Sequence, residues 1–482
     1  MIYLKQNGKD YEHDIRTMLQ AFFEHEKIVM EPTDARLMLE TFFCEKQQVT
    51  FVLKDRDGYE DIKKIQIAYA DQKHARNPIK KLLYHMLVQY TGIKLPWGTL
   101  TGVRPTKIAS RLLEQGASDE IVIKHFQDMY DTTLPKIKTC CAIAKKEQKL
   151  FQSFSFEKEY CLYISIPFCP SKCLYCSFPS DPIEKYKDKI DQYLDALCKE
   201  IEYVAKAKKQ QRLIAVYIGG GTPSALPAEC LERLLNAVQN AFCMNYVKEF
   251  CVECGRPDSI TREKLLVLKK MGVERISINP QTMKDETLKL IGRMHTAEQT
   301  KQAYALAREV GFFDINMDVI IGLPKEELSD IKYTIEQVYE MKPESVTVHS
   351  LSIKRASHLH EEIMQYRSMI QENAHEMMEL VDDYARKMNL FPYYLYRQKN
   401  ISGKLENIGY AKEGKECLYN ILIMEEKMDV MAVGAGAITK LILSKENGMK
   451  RIPNVKNIDA YITRIDEMIQ RKQVEFLSEG KI

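Results

Sequence analysis

The chain has 482 residues, 45% hydrophobic and 28% charged, the usage of an ordinary soluble globular protein with room for more than one core. Lys and Arg number 70 against 67 Asp and Glu, a formal charge of +3, so composition makes no case for a nucleic-acid or membrane-surface binder. No apolar run approaches the roughly 20 residues that span a bilayer, and 13 scattered cysteines, an odd number, exclude a secreted disulfide scaffold and point to the cytoplasm.

In chain order, Met1–Gly8 lacks the charged lead and apolar stretch of a secretory signal. Residues 1–70 alternate short strands with helix: Ile2-Tyr3-Leu4 ahead of Gly8, and Gln48–Lys54 running into a turn at Asp57-Gly58. Residues 75–150 read as helical, with Leu82, Leu83, Met86 and Leu87 at helical spacing and the only tryptophan, Trp97, in a loop between helices. From 160 the rhythm changes. Strands are expected at 162–166, 214–219, 248–253, 274–279, 314–320 and 345–351, with helices at about 183–209, 227–242, 261–271, 297–310 and 328–341. Such alternation implies a parallel sheet with right-handed crossovers. Six strands fall short of the eight of a closed barrel, so an open, partial one follows, with functional residues at the C-terminal ends of its strands. The basic run Lys206–Arg212 is expected at the solvated end of a helix, with no binding role. Beyond about 355 come a long helix at 358–389, a strand-like Tyr393–Tyr396, a Gly-punctuated stretch through Val433–Ala437 and a helix at 457–472. The expected fold is α/β: a partial (open) six-stranded βα barrel at 151–355, an N-terminal α+β accessory domain at 1–150, and a C-terminal α+β extension at 356–482 covering the barrel.

Residues Cys161–Asp181 form a short apolar strand that runs into a loop carrying Cys169, Cys173 and Cys176, spaced C-x3-C-x2-C. Three thiolates so close in sequence converge on one metal centre only if the loop wraps around it. A structural zinc would need a fourth, distant protein ligand. An iron–sulfur cube on three cysteines leaves one iron open for chemistry. Gly219-Gly220-Gly221-Thr222-Pro223 follows the second strand, where absent side chains let a ligand approach. Exposed amides there can hold a carboxylate and carbonyls an ammonium, although a tight turn would use the same residues. Glu253 closes the third strand. Cys251 and Cys254, three apart on a strand, face opposite sides and read as core thiols. Asp318 lies in an otherwise apolar strand and needs a partner. His349 on strand six points either to the barrel interior or to the helix layer, and reads as a satisfied core histidine.

Tyr163-x-Ser165-Ile166-Pro167-Phe168-Cys169, followed by Cys173-x-Tyr175-Cys176-x-Phe178, resembles the cluster loop of radical S-adenosylmethionine (SAM) enzymes. The resemblance is narrowest to the oxygen-independent coproporphyrinogen III oxidase family and runs over about residues 160–440; the long N-terminal region suggests its HemZ-type branch. It implies a [4Fe-4S] cluster on Cys169, Cys173 and Cys176, with the fourth iron open to SAM. The implied SAM contacts are Tyr163, Tyr175, Gly220, Gly221, Thr222, Glu253, Gln281, Arg293 and Asp318, the last partnered by a ribose hydroxyl or by Arg293. The implied activity is oxidative decarboxylation. A 5′-deoxyadenosyl radical takes a hydrogen from the β-carbon of a propionate, and carbon dioxide leaves as a vinyl group forms. Two propionates of coproporphyrinogen III react in this way, giving protoporphyrinogen IX. The implied partners are a porphyrinogen substrate and a flavodoxin- or ferredoxin-type electron donor. Lys354, Arg355 and Arg397 are candidates for the substrate carboxylates. The chain departs from the family at Ser165, where the family has His, and at Ser177, where it has a further Cys. Asn407–Lys412 and Cys417–Leu422 stand where haem-chaperone relatives carry Asn-Phe-Ala and His-Asn-x-x-Tyr-Trp. A haem chaperone of the same fold, or a radical SAM enzyme on another tetrapyrrole, is the alternative.

Overall fold

Strict alternation of buried and half-buried residues along Leu37–Thr41, with Leu37 and Leu39 fully enclosed, lays down one face of a sheet in the N-terminal region. The computed structural model describes residues 1–482 except 8–10, 24–25, 32–33, 45–47, 68–71, 103, 353–373, 399–404, 444–447 and 481–482. The chain parts into two units, Met1–Lys145 with Leu395–Glu406, and Lys146–Tyr394 with Asn407–Ile482.

In the first unit a five-stranded sheet runs in the order Ile28–Val29, Ile2–Gln6, Leu37–Cys44, Gln48–Asp55, Glu60–Gln66. The first three strands are parallel and the rest antiparallel. Helices Glu12–Phe22 and Gln72–Thr91 close a core around Ile15, Met18, Leu39, Phe51, Leu83 and Leu87. Strands Leu37–Cys44 and Glu60–Gln66 were not expected. The latter exposes most of its side chains, Lys63 and Lys64 among them, as suits a sheet edge, and so carries no apolar period to read. The tail of helices, Thr106–Glu114, Asp119–Tyr130 and Leu134–Phe151, follows as expected.

The second unit is built on parallel strands in sequence order: β1 (Glu159–Ile166), β2 (Arg212–Gly220), β3 (Glu249–Glu253), β4 (Arg275–Ser277), β5 (Ile315–Ile321) and β6 (Ser345–Ser350). Between them lie α1 (Ile190–Ala207), α2 (Ala228–Ala241), α3 (Arg262–Lys270), α4 (Asp285–Leu290), α5 (Ala297–Val310) and α6 (Leu328–Met341). All the expected barrel strands and helices are present, and the architecture is a partial, open βα barrel. Helix α4 was missed because six residues are too few to show a period. Helix α5 shows how local sequence sets a boundary: Thr296 and Gln299 form a reciprocal capping box, and Gly311 ends the helix at φ +99°.

The strands of the described part of 356–482 extend the same eleven-stranded sheet. After the helix α7 (Ala374–Lys387) come β7 (Phe391–Tyr396) and β8 (Asn407–Ala411), the latter antiparallel to β6. Helix α8 (Leu418–Glu425) precedes β9 (Asp429–Val433), which pairs parallel with β1 on the other side and is followed by β10 (Ile438–Ile442) and β11 (Met449–Pro453). Helices α9 (Ile458–Thr463) and α10 (Ile465–Ser478) pack on α1. The basic run Lys206–Arg212 is not wholly solvated. Lys208 is buried, 3.8 Å from Asp429 and 4.9 Å from the centre of the Phe476 ring.

Beyond the end of β4, Thr282 donates to the buried carboxyl of Glu326 and lies 3.3 Å from Thr334. Burial, opposed by the Thr282 and Thr287 hydroxyls, pushes the Glu326 carboxyl up to about 7 from 4.5. The folded chain therefore holds a proton there that the unfolded chain releases. The associated stability, on the order of 3 kcal/mol, is complete below pH 4.5 and is lost as the pH rises through 7. Glu326→Gln is expected to flatten this fall, read from urea midpoints measured between pH 5 and 8. Equal slopes in the variant and the parent chain would contradict it.

Candidate functional site

The cysteine loop leaves the C-terminal end of β1 and is fastened at several points. Leu174 N–H donates to Ile291 O at 3.0 Å, and Ser171 Oγ donates to Gly292 O at 2.9 Å. Leu174 and Tyr175 pack on a small core of Ile291, Ile320, Leu323 and Leu351. Arg256, 3% exposed, spans the loop from behind. Its Nη1 donates to Ser171 O (3.2 Å), Ser171 Oγ (3.0 Å) and Cys173 Sγ (3.7 Å), while Nε and Nη2 clasp the Asp258 carboxylate at 3.0 and 2.8 Å. Thr222 Oγ1 donates to Cys169 Sγ at 3.5 Å. A guanidinium and a hydroxyl aimed at sulfur suit thiolates that carry charge, and such outer contacts orient cluster ligands. Among the described residues, no three His, Cys, Asp or Glu side chains gather in the geometry of a single metal ion. Arg256→Met is expected to release iron to a chelator roughly tenfold faster than the parent, since charge-assisted hydrogen bonds are worth about 1.5–3 kcal/mol. Arg256→Lys should recover little, because an ammonium lacks the planar fork. Unchanged release from Arg256→Met would refute this.

The glycine triplet has a tighter job than the one expected of it. A Cβ on Gly221 would lie 2.6 Å from Phe168 O and 3.0 Å from Cys169 Sγ, and one on Gly219 would lie 2.9 Å from the Glu253 carboxyl. Gly220 stands at φ +106°. The amides of Gly221 and Thr222 are spent on Ile166 O and Phe168 O, both at 2.7 Å, and Gly220 N–H serves Glu253. These three amides therefore stitch the loop and Glu253 to the sheet rather than lie exposed for a carboxylate.

Alternation along the strands gives the barrel an apolar outer face and a polar inner one. Ile164, Val216, Ile218, Ile276, Met317, Val319 and Val348 are buried under the helices. On the other face Tyr217 OH donates to Glu253, whose carboxyl burial pushes up to about 7, with Tyr217 pulling it down and Asp318 adding to the rise. The rings of Tyr163, Tyr217 and Tyr419 stack, Tyr217 to Tyr419 at 4.5 Å and Tyr163 to Tyr419 at 5.9 Å. Tyr419 is put there by α8, whose first turn is received by Glu249: Leu418 N–H and Tyr419 N–H donate to its carboxylate at 2.7 and 3.0 Å. Asp318 is partnered by Asn279 Nδ2 (2.8 Å), Asn316 Nδ2 (2.7 Å) and His349 Nε2 (3.6 Å), not by Arg293. His349 thus faces the interior beside a carboxylate and is not a core-filling histidine. Arg293 instead donates to Tyr175 OH at 3.2 Å and to Gly255 O.

Two expected residues keep buried polar atoms with no partner among the described residues: Gln281 Oε1 and Arg293 Nε. Gln281 also sits at φ +66°, a region costly for a non-glycine residue, held by Gln281 N–H to Asp318 O and Ile320 N–H to Gln281 O, both at 2.9 Å. Orphaned polar atoms past the end of β4 and between α4 and α5, with backbone strain at Gln281 and with Gly292, next to Arg293, packed on the cysteine loop, fit a bound polar cofactor. Cys251 and Cys254 are buried thiols, the latter pushed up to about 12 by burial, as core cysteines should be. None of the 13 cysteines forms a disulfide. Ser165 donates to Ala435 O at 2.9 Å. Lys354 and Arg355 lie outside the described residues. Arg397 belongs to the first unit, donates to Leu100 O and lies over Trp97. Reading along the sequence missed Tyr217, Arg256, Asn279, Asn316 and Tyr419. Asn316 had a signal, since it shares a strand face with Asp318.

Residues 163–338 match the radical SAM superfamily. The oxygen-independent coproporphyrinogen-III oxidase-like protein HemZ of Bacillus subtilis is 37% identical over 411 residues, which cover 84% of this chain and 82% of that one. The heme chaperone HemW of the same organism is 31% identical over 281 residues, 58% of this chain and 69% of that one. The structure of coproporphyrinogen III oxidase (HemN) from Escherichia coli, a radical SAM enzyme, superposes with a TM-score of 0.52 at 22% identity, over 67% of this chain and 73% of that one.

Proposed function

The chain belongs to the radical SAM superfamily and, within it, to the oxygen-independent coproporphyrinogen III oxidase-like group in its HemZ-type branch, and on that footing we propose that it converts propionates of coproporphyrinogen III to vinyl groups, giving protoporphyrinogen IX. Members of this superfamily carry a [4Fe-4S] cluster and SAM, which when bound supply one electron and a hydrogen-abstracting radical. The chain's own work is to hold, orient and shield. Cys169, Cys173 and Cys176 would hold the cluster, with Arg256 and Thr222 fixing two of the sulfurs. With their amides engaged, Gly220 and Gly221 would meet SAM's ammonium through their carbonyls, beside Thr222 and the Glu253 carboxyl. Gln281 Oε1, Arg293 Nε, Tyr175 and the Asp318–Asn279–His349 set would receive the nucleoside end. The stacked rings of Tyr163, Tyr217 and Tyr419 would floor the cavity and keep water from the reacting carbon.

The observation that best supports this reading is the pair of buried atoms without a partner among the described residues, on Gln281 just past the end of β4 and on Arg293 between α4 and α5. A flavodoxin- or ferredoxin-type donor would supply the electron. The test is anaerobic reconstitution with iron, sulfide, SAM and coproporphyrinogen III, followed by mass spectrometry. Vinyl product with 5′-deoxyadenosine supports decarboxylation, while SAM cleavage without substrate change argues for another substrate. The HemW likeness favours a second reading, a haem chaperone, for which stoichiometric haem retention without decarboxylation would speak.

A further inference from the structure

Of the three cations expected to meet the substrate carboxylates, Arg397 belongs to the first unit, and Lys354 and Arg355 lie outside the described residues. The arginines described around the barrel interior have other duties. Arg256 clasps Asp258, Arg275 is held by Asp314 and Ser345, and Arg293 reaches Gly255 O and Tyr175 OH. His349 differs from them. It is the one residue of β6 that is not buried, with 30% of its side chain exposed, and its Nε2 stands 3.6 Å from Asp318 Oδ2, too far for a hydrogen bond. Asp318 does not depend on it. Asn316 Nδ2 and Asn279 Nδ2 hold one carboxylate oxygen each, at 2.7 and 2.8 Å, and Asn316 Oδ1 is fixed in turn by the hydroxyls of Ser345 and Thr347 at 3.0 and 3.1 Å. Strand register sets the height of His349. Its cross-strand partner is Ile320, a member with Leu351 of the small core that receives Leu174 and Tyr175 of the cysteine loop. The imidazole thus stands on the inner face, beside Asp318 and level with that loop. Its charge also reaches the Glu253 carboxyl, which burial raises and His349 lowers.

With coproporphyrinogen III as the proposed substrate, on which this rests, we infer that His349 binds the carboxylate of the reacting propionate, the group that leaves as carbon dioxide. A single carbon separates that carboxylate from the carbon that gives up hydrogen, and the latter has to lie against the nucleoside end, which Asp318 would receive. A side chain that grips the carboxylate must then stand close to Asp318 on the inner face, as His349 does. Imidazole suits the task in two ways. It takes up charge near neutral pH and can donate to a carboxylate. It also grips less firmly than a bidentate guanidinium. A carboxylate that departs as neutral carbon dioxide sheds its charge on the way, so a firm grip would stabilise the ground state and slow the loss.

The test reads binding rather than turnover. The full-length chain, reconstituted anaerobically and given no electron donor, is dialysed to equilibrium against coproporphyrinogen III and, separately, against SAM. His349→Leu, similar in bulk and without the charge, should bind coproporphyrinogen III at least about tenfold more weakly, the worth of a charge-assisted hydrogen bond, and SAM within about threefold of the parent. SAM is spared because the two asparagines keep Asp318 in place. On the parent chain the tetramethyl ester of coproporphyrinogen III, which has no free carboxylate, should bind at least about tenfold more weakly than the acid. Full affinity for coproporphyrinogen III in a folded His349→Leu overturns the inference alone, as does an equal loss of SAM and porphyrinogen. Equal binding of ester and acid to the parent overturns it too, and that comparison holds even where the variant does not fold. A parent chain that fails to bind coproporphyrinogen III overturns the inference together with the proposed substrate.

Discussion

Cys173→Ala is expected to purify with little iron and, after anaerobic reconstitution, to cleave SAM roughly a hundredfold or more slowly than the parent chain. Loss of a contact one shell away from a metal already costs about 10–100-fold in affinity or activity, and Cys173 is proposed as a direct ligand. The loop should survive the change, because Leu174 N–H to Ile291 O, Ser171 Oγ to Gly292 O and the Arg256 contacts to Ser171 do not involve the thiol. Melting of the cluster-free protein should therefore shift little. Cys254→Ala is the matched control: it removes a buried thiol of the same sheet and should keep its iron. Iron and sulfide content, the visible absorption of the cluster and the yield of 5′-deoxyadenosine decide it. A full cluster in Cys173→Ala would end the assignment of the three thiols.

Lys472→Met carries the largest expected loss of stability, about 3–5 kcal/mol, because it strips the cation from a buried carboxylate. Glu200 lies in the apolar stripe of α1 between Leu197 and Ile201 and is fully buried, as is Lys472 on α10. The carboxylate receives Lys472 Nζ at 2.6 Å, Asn454 Nδ2 at 2.8 Å, Gly434 N–H at 2.8 Å and Tyr461 OH at 2.5 Å. Replacing both partners, Glu200→Leu with Lys472→Met, should cost less than the two single losses added together, since no charge is then stranded. The network also borders the strand that leads into the site. Gly434, at φ +96°, packs so closely on β1 that an added Cβ would lie 2.4 Å from Ser165 O, just ahead of the cysteine loop. An unfolding free energy for Lys472→Met, from urea melts, within about 1 kcal/mol of the parent would show that the pair does not matter.

What the sequence disclosed tracks how local each signal is. The barrel strands and their helices are written in runs of a few residues, and the cysteine loop in a single motif, so both were legible. Strand β9 was not recognised as a seventh parallel member, because Asp429–Val433 has no following helix of the repeating kind and its pairing partner on β1 is some 270 residues away. The partners of Asp318 were misjudged for the same reason: Asn279 and His349 reach it across strand pairings, and nothing near Asp318 in sequence names them. Arg256 reads locally as a solvated turn between Gly255 and Pro257, yet it is buried and turned towards Ser171 and Cys173. Lys208 was taken for part of a solvated run because composition cannot tell which member of a charged stretch folds inward.

The return of Leu395–Glu406 to the first unit has a consequence for how the molecule comes into being. Glu406, 1% exposed, is the acceptor for Trp97 Nε1 at 2.7 Å and for Lys136, so residues made early wait for one made late. On a ribosome the leading segment emerges with Trp97 and Lys136 lacking that acid, and it cannot complete itself until translation has passed Glu406. Cutting the gene after residue 145 would accordingly leave the leading fragment without the acid that Trp97 and Lys136 hold.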